Sequence, residues 1–315
     1  MRDRHKVLVF TRESDAPYRA RLLNSDAASF TFCRTEAEVE AHIADADVIL
    51  GSVSFPVRLL ARAEHVKWIQ VTGAGVDAFL SQATLPPNVL LTRADVSFGD
   101  QIAEYVIGHL LALTQRMRDV YALQASRRWD PLTVEFLTGR TMGILGAGSI
   151  GQAVAARARG MGLRTVGLAR TSRDLPGFDV VHAAEELPAL LSSADVLVLC
   201  LPLTRETRGL IGREELARLK PSTILINVAR GAILDEAALI EALAEQRLRA
   251  AILDVFAEEP LSPESPLWAM ENVTITSHHA GLNVPAEIID FFLENLTRFR
   301  CGRSLNGLVD PDRGY

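Results

Sequence analysis

The sequence predicts an α/β fold built on doubly wound parallel sheets. Three observations point to it: a length of 315 residues, two series of short apolar runs that alternate with helical segments, and a glycine-rich turn that opens the second series. At roughly 150 residues per domain, the length predicts about two domains. Apolar runs that are continuous along their length are typical of parallel strands covered on both faces.

The first series of elements occupies the N-terminal part of the chain. Three apolar runs predict strands, namely HKVLVF (5–10), ADVILG (46–51) and VKWIQVTG (66–73). Helical or turn segments separate them, such as EAEVEAHI (36–43) and PVRLLARA (56–63). The stretch 99–126 then has apolar residues at three- and four-residue steps and lacks an interior proline, so it predicts one long helix.

The second series supplies the strands of a second sheet. Its apolar runs are TMGILG (141–146), RTVGLA (164–169), ADVLVLCLP (194–202), STILINVA (222–229), AAILDVF (250–256) and NVTITS (272–277). Strands that alternate with helix-length segments favour a parallel, doubly wound sheet. Ligands of such sheets bind outside the carboxyl ends of the strands, so we expect the functional residues there.

Composition limits the classes of function. The chain is 48% hydrophobic, and its 33 Lys and Arg against 39 Asp and Glu give a net charge of −6. This balance argues against nucleic-acid binding, which needs clustered positive charge. No apolar stretch approaches the ~18 residues of a membrane span, and the N-terminal run is too short for a signal peptide, so we expect a cytoplasmic protein. Cys33, Cys200 and Cys301 are far apart, without the spacing of a metal site or a disulfide framework.

The turn GAGSIG (146–151) has the spacing G-x-G-x-x-G. Glycines are common in strand-to-helix turns, but this turn follows an apolar run and opens the helical segment SIGQAVAARARGMG. Gly146 would allow the turn, Gly148 the close approach of a pyrophosphate, and Gly151 close packing of the helix. The sequence therefore predicts a dinucleotide-binding site.

The residues after the next strand indicate which dinucleotide is bound. An acidic residue at this place would accept hydrogen bonds from the ribose 2′-hydroxyl of NAD, but the chain instead reads Arg170, Thr171, Ser172 and Arg173. Two guanidinium groups and two hydroxyls suit a 2′-phosphate, although a solvated basic turn would read the same way. We therefore predict NADPH as the preferred cofactor, with NADH possible.

Three later segments carry acid–base chemistry. Arg230 follows one predicted strand, Glu259 lies five residues beyond Asp254 at the end of another, and His278 follows a third. An arginine can hold a carboxylate, a histidine can donate a proton to a developing alkoxide, and a carboxylate can orient that histidine. These residue types together match the reduction of a 2-oxo acid.

Six motifs in order resemble the D-isomer-specific 2-hydroxyacid dehydrogenase family over essentially the whole chain. They are GAGVD (73–77), GILGAGSIGQAVA (143–155), LPLTRETRGLI (201–211), INVARGAILDE (226–236), LDVFAEEPL (253–261) and TSHHAG (276–281). Within the family the sequence looks most similar to the bacterial NADPH-dependent glyoxylate/hydroxypyruvate reductases, because of ARTSR (169–173), SPLW (265–268) and the closing LVDPDRGY.

The resemblance implies roles for matching positions. Arg230 resembles the substrate-binding arginine, Glu259 the carboxylate partner of the histidine, and His278 the proton donor. Ser277 and His279 depart from the family's usual residues, which leaves open the role of His279 relative to His278. Backbone N–H groups of Ala74 and Gly75 would receive the substrate carboxylate. Trp129 would either line the pocket or pack as an ordinary core tryptophan.

The resemblance also implies the remaining cofactor contacts. Besides the residues already named, they are Ser149, Ile150, Leu201, Pro202, Thr207, Val228, Ala229, Asp254 and Ala280. Asp254 would lie near the nicotinamide amide, with a purely structural role at the strand end as the alternative. No metal ligand is implied.

The domain layout that the resemblance implies has two doubly wound parts. Residues 1–98 and 283–315 would form a flavodoxin-like substrate domain, and residues 99–282 a Rossmann-type cofactor domain. The family commonly forms homodimers through the cofactor domain, in part by the predicted helix 99–126.

Two alternatives to a reductase of small 2-oxo acids such as glyoxylate and hydroxypyruvate stay open. One is a D-2-hydroxyacid dehydrogenase for bulkier acids, since pocket shape alone separates these substrates. The other is a non-enzymatic nucleotide-sensing corepressor, because such relatives can keep the Arg-Glu-His set. A formate dehydrogenase is not expected, because it would use a glutamine beside its histidine where this chain has Glu259.

Overall fold

The computed structural model describes residues 4–11, 15–82, 85, 88–311 and 313–315, and it contains two all-parallel sheets. The chain forms two compact units, Met1–Phe98 with Asn283–Tyr315, and Gly99–Leu282. Each unit holds one of the sheets. The predicted fold class, α/β with doubly wound parallel sheets, is confirmed.

The first unit is built on a sheet with the strand order β2-β1-β3-β4-β5. Its strands are β1 (Lys6–Phe10), β2 (Ser29–Cys33), β3 (Val48–Gly51), β4 (Trp68–Val71) and β5 (Leu90–Arg93). Its helices are α1 (Ala16–Leu22), α2 (Glu36–His42), α3 (Asp77–Gln82) and, from the C-terminal segment, the helix Pro285–Arg300. This order is that of flavodoxin-like sheets.

Local signals explain several elements of the first unit. Thr35 caps α2, because its hydroxyl accepts the backbone N–H of Glu38 and the Glu38 carboxylate accepts the N–H of Thr35. The predicted helical segment 56–63 forms a 3₁₀ helix, Val57–Arg62. Trp68 of β4 is fully buried and stacks on Phe292 of the C-terminal helix, with ring centroids 5.2 Å apart.

The second unit is built on a sheet with the strand order β12-β11-β10-β9-β6-β7-β8. Its strands are β6 (Thr141–Leu145), β7 (Arg164–Leu168), β8 (Val180–His182), β9 (Val196–Leu199), β10 (Ile224–Asn227), β11 (Ala250–Leu253) and β12 (Val273–Ile275). The order reverses between β6 and β9, as in Rossmann-type sheets. Each of the six predicted runs contains one of these strands.

The helices of the second unit either precede its first strand, as α4 and α5 do, or lie between its strands. They are α4 (Phe98–Thr114), α5 (Met117–Ala125), α6 (Ser149–Gly160), α7 (Leu187–Ser193), α8 (Arg213–Arg218) and α9 (Glu236–Ala244). Helix α4 begins at the last residue of the first unit. The C-terminal helix of the first unit, Pro285–Arg300, is α10. Within the described residues, no helix combines the length and the apolar composition that crossing a membrane requires.

The prediction of one long helix over 99–126 is wrong. The structure has two helices, α4 and α5, which meet at Gln115 and Arg116. Arg116 adopts the left-handed conformation with φ of 54°, and its N–H bonds to the carbonyl of Leu113 at 3.1 Å, three residues back. A left-handed residue cannot continue the α-helical hydrogen-bond ladder, so the chain starts a new helix. Apolar spacing alone carried no signal for this break.

Candidate active site

The predicted glycine turn links β6 to α6. A Cβ atom at Gly146, where φ is 106°, would lie 2.7 Å from the carbonyl oxygen of Cys200, and one at Gly151 would collide with the carbonyl oxygen of Gly146. A Cβ at Gly148 would meet no atom within 4 Å. Gly146 and Gly151 therefore shape the turn, whereas Gly148 leaves open space before the first residues of α6, Ser149 and Ile150. Backbone N–H groups at such a helix start attract anions.

The basic segment after β7 lies on the surface. Arg170, Thr171, Ser172 and Arg173 are all exposed. The Ser172 hydroxyl donates to the carbonyl of Val181 at 2.9 Å, which anchors the segment to β8. The Arg170 guanidinium lies 3.4 Å from the carboxylate of Glu206, which is in the loop after β9. Sequence reasoning gave no role to Glu206.

The loop after β9 is closed by its own side chains. The Thr207 hydroxyl donates to the carbonyl of Pro202 at 2.6 Å and accepts the backbone N–H of Thr204 at 2.8 Å. Leu201 is partly buried against the core of the second unit. Leu201, Pro202 and Thr207, all predicted cofactor contacts, thus belong to one ordered turn.

Arg230 follows β10 in a loop that a buried asparagine holds. Asn227, with no exposed surface, accepts the N–H of Ala229 at 3.1 Å and donates to the carbonyl of Arg230 at 3.2 Å. A Cβ at Gly231 would collide with the backbone of Phe256, so this loop packs closely on the one that follows β11. Val228 and Ala229 lie between these anchors. Sequence reasoning missed Asn227, although a polar residue ending an apolar strand was a signal.

His278 and Glu259 form a hydrogen-bonded pair. Nδ1 of His278 lies 2.8 Å from Oε2 of Glu259, and the other carboxylate oxygen accepts the backbone N–H of Phe256 at 3.0 Å. His278 has a left-handed backbone with φ of 53°. The two side chains are 48% and 35% exposed, so solvent-borne molecules can reach the imidazole. An imidazole that donates from Nδ1 to a carboxylate presents Nε2 to a reacting group.

Asp254 organises the loop that carries His278. Its side chain is 2% exposed and accepts three hydrogen bonds, from the Thr276 hydroxyl at 2.6 Å and from the N–H groups of His279 and Ala280, both at 2.9 Å. Its backbone carbonyl accepts the N–H of His278 at 2.9 Å. The structural role that the sequence left open for Asp254 is therefore present, and a contact with the nicotinamide amide stays a prediction.

A buried tyrosine supports this loop from α4. The hydroxyls of Tyr105 and Thr276 lie 2.7 Å apart, and the Tyr105 ring is 4.2 Å from that of His109 and 5.9 Å from that of His279, between centroids. Burial raises the pKa of Tyr105 to about 12, so its phenol stays protonated at neutral pH. Burial, and then the neighbouring His279, lower the pKa of His109. Sequence reasoning had singled out no function for Tyr105.

Arg230, Glu259 and His278 follow β10, β11 and β12, which are neighbours in the sheet. Because all strands are parallel, these three loops begin at the carboxyl ends of the strands, on the same side of the sheet, where a ligand site is expected. The roles of the three side chains stay predictions. Among the described residues, no group of three or more His, Cys, Asp or Glu side chains could hold a metal ion.

Ala74 and Gly75 lie in the first unit, in the turn between β4 and α3. Their backbone N–H groups donate no hydrogen bond within the part of the chain that the structure describes. They could therefore bind an anion, and their contact with substrate stays a prediction. Trp129 is 97% exposed, so the interpretation as an ordinary packed tryptophan is wrong within one chain.

A cavity of about 570 Å³ lies in the first unit, at the carboxyl ends of β1, β2 and β3. Its lining includes Phe10, Arg34, Ser54, Phe55 and Arg58. None of the predicted site residues lines it. The chemistry-bearing loops of the second unit, rather than this cavity, mark the candidate active site.

Comparisons with known proteins agree with this geometry. Residues 107–280 match the family model described as D-isomer specific 2-hydroxyacid dehydrogenase, NAD binding domain. The chain is 36% identical over 266 residues to glyoxylate/hydroxypyruvate reductase A of Salmonella paratyphi C, which covers 82% of this chain and 85% of that protein.

Two solved structures match almost the full chain. One is a D-isomer specific 2-hydroxyacid dehydrogenase from Xanthobacter autotrophicus Py2 in complex with NADPH and MES, at 32% identity and a TM-score of 0.90, covering 99% of this chain and 100% of that one. The other is an NADPH-dependent glyoxylate/hydroxypyruvate reductase from Sinorhizobium meliloti in complex with NADP and sulfate, at 31% identity and a TM-score of 0.89, with the same coverage.

Proposed function

The chain belongs to the D-isomer specific 2-hydroxyacid dehydrogenase family and is an NAD(P)-dependent oxidoreductase, and we propose that it reduces a small 2-oxo acid such as glyoxylate or hydroxypyruvate with NADPH. The product is the D-2-hydroxy acid. The observation that carries the proposal is the His278–Glu259 pair, at the same sheet edge as Arg230 and the glycine turn.

The glycine turn fits a dinucleotide. The open space at Gly148 and the N–H groups at the start of α6 suit a pyrophosphate. Arg170, Thr171, Ser172 and Arg173 suit a 2′-phosphate, which favours NADPH over NADH. The Sinorhizobium meliloti relative, described as NADPH-dependent, supports this choice. When bound, the cofactor supplies the hydride that reduces the substrate carbonyl carbon.

Arg230 binds the carboxylate of the 2-oxo acid. Its planar guanidinium can donate two parallel hydrogen bonds to a carboxylate, which fixes the orientation of the adjoining carbonyl group. Asn227 keeps the loop of Arg230 in place through its two backbone hydrogen bonds. Ala74 and Gly75 would add backbone N–H donors to a carboxylate, as the family resemblance implies.

His278 supplies the proton. Nδ1–H donates to Glu259, so in the protonated imidazole Nε2–H is free to donate to the carbonyl oxygen as negative charge develops on it. The carbonyl carbon gains a hydride and the oxygen gains a proton, which yields the hydroxyl group. Glu259 orients the ring through its hydrogen bond with Nδ1.

The test is oxidation of reduced nicotinamide, followed by its absorbance. NADPH and NADH are each assayed with glyoxylate, hydroxypyruvate and phenylpyruvate. Fast oxidation of NADPH with a small acid is expected. Equal KM values for NADPH and NADH would overturn the cofactor choice, and preference for phenylpyruvate would replace the substrate class. Tight nucleotide binding without turnover would favour the nucleotide-sensing corepressor.

A further inference from the structure

An ion pair between Arg170 and Glu206 joins the loops on the two sides of β6, the strand that leads into the glycine turn. Strand β6 lies between β7 and β9, and Leu145 at its end is opposite Leu168 of β7 and Leu199 of β9. Neighbouring strands are about 4.8 Å apart, so the ends of β7 and β9 are separated by roughly 10 Å. The side chains of Arg170, after β7, and Glu206, after β9, span this separation, with a guanidinium nitrogen 3.4 Å from a carboxylate oxygen.

Glu206 is held in place by its loop. The nearby residues Thr204 and Thr207 bond to each other, and the Thr207 hydroxyl donates to the carbonyl of Pro202. The N–H of Arg208 donates to the carbonyl of Thr204 at 3.1 Å. The Glu206 side chain is 78% exposed and that of Arg170 is 48% exposed. An ordered turn therefore presents a solvated carboxylate to the guanidinium assigned to the 2′-phosphate.

We propose that Glu206 is a specificity-determining residue, whose carboxylate competes with the 2′-phosphate of NADP(H) for the Arg170 guanidinium. This inference rests on the proposed use of NADPH. Exposed ion pairs are weak, whereas an arginine can hold a phosphate through two charge-assisted hydrogen bonds, so the phosphate displaces Glu206. A nucleotide without the 2′-phosphate does not need Arg170, so the competition lowers only the affinity for phosphorylated cofactors.

Glu206→Gln tests the competition directly. The amide keeps the size of the side chain but loses its charge. We expect adenosine 2′,5′-bisphosphate to bind about two- to fivefold more tightly to this variant, and 5′-AMP to bind as it does to the wild type. Isothermal titration calorimetry measures both without turnover. The gain should shrink at high salt, which screens exposed charges.

The matched control is Glu241→Gln. Glu241 of α9 is also exposed and pairs with Arg213 of α8, so its substitution changes the net charge equally without touching the loops beside the glycine turn. It should leave both affinities unchanged. A gain equal to that of Glu206→Gln would mean a general charge effect and would overturn the proposal.

A double-mutant cycle identifies the partner. In an Arg170→Gln background, Glu206→Gln should give no further gain, because the contested guanidinium is gone. A gain that persists there would mean direct repulsion of the phosphate and would overturn the competition. If the wild type binds adenosine 2′,5′-bisphosphate more tightly than 5′-AMP and Glu206→Gln changes neither, only this inference fails. If the wild type shows no such preference, the choice of NADPH fails with it.

Discussion

Two adjacent histidines have different surroundings. The His278 ring is hydrogen-bonded through Nδ1 to the Glu259 carboxylate. His279 instead donates its backbone N–H to Asp254, and its ring lies near that of Tyr105. Within the described part of the chain, a carboxylate lies within hydrogen-bond distance of the His278 ring and none lies within that distance of the His279 ring. The assignment of the proton donor, which the sequence left open between the two, can therefore be tested by substituting each in turn.

His278→Ala should lower kcat by about 10²- to 10⁴-fold, the usual contribution of a positioned general acid. NADPH binding, measured by calorimetry, should change little, because the loss is in the chemical step. His279→Ala serves as the matched control and should keep most of the turnover. A His279→Ala variant as slow as His278→Ala would contradict the assignment.

Residues that act through others were the hardest to predict from the sequence. Arg230, Glu259 and His278 could be singled out because their chemistry and their positions after apolar runs are visible in the chain. Asn227 and Tyr105 could not, because their roles depend on partners that only the fold provides. Tyr105 reaches Thr276, which is 171 residues away in the sequence.

At the scale of elements, alanine substitutions at two glycines of the same turn should affect different properties, stability in one case and cofactor binding in the other. Gly151→Ala places a Cβ against the carbonyl oxygen of Gly146, so α6 must shift from β6 and the variant should lose about 1–3 kcal/mol of stability, as in overpacked cores. Gly148→Ala meets no protein atom within 4 Å and should fold normally but bind NADPH more weakly. Thermal unfolding and calorimetry measure the two effects. Equal loss of stability in both variants would contradict the assignment.

The contact of α4 with the loop after β12, made by Tyr105, should make the free energy of unfolding decrease as the pH rises above 10. Burial raises the pKa of Tyr105 from 10.0 to about 12, so the unfolded chain loses this proton first. The contribution of Tyr105 is complete below pH 10 and falls by up to roughly 1.4 kcal/mol per pH unit towards pH 12. Tyr105→Phe should reduce this slope in urea unfolding and lower kcat several-fold, since Thr276 loses its hydrogen bond with Tyr105 and keeps the one to Asp254.

Tyr18 of α1 provides the comparison for Tyr105. Burial raises its pKa to about 12 as well, but it lies in the first unit. Tyr18→Phe should reduce the alkaline loss of stability and leave kcat unchanged. A fall in kcat as large as that of Tyr105→Phe would indicate a general structural effect and contradict a role for Tyr105 in holding the His278 loop.

Continuous apolar runs predicted the inner strands well, and short or edge elements poorly. The strands β5 (LLTR) and β8 (VVH) lie at sheet edges and are only partly buried, so neither forms part of a long continuous apolar run. The edge strand β2 reads SFTFC and is half exposed, so its alternation of polar and apolar residues differs from the continuous runs of buried strands. The break at Arg116 depends on one backbone conformation and has no periodic signal.

At the scale of the whole molecule, exposed aromatic side chains on α5 and the segment after it indicate a surface that binds a second copy of the chain. Tyr121, Trp129 and Phe136 are 62%, 97% and 77% exposed, more than a monomer usually shows in one segment. Symmetric self-association would cover them and agrees with the homodimer that the family resemblance implies. We expect light scattering to give twice the 34.4 kDa of one chain.

Substitution of one tryptophan tests this dimer. Trp129→Ser should shift the mass towards that of the monomer on dilution, because the most exposed aromatic side chain of this surface is lost. Trp268→Ser is the control: Trp268 is also exposed, at 55%, but its indole N–H already donates to the carbonyl of Ser262 at 2.9 Å. The control should remain dimeric. A wild-type mass of one chain at all concentrations, or equal dissociation of both variants, would contradict a dimer through this surface.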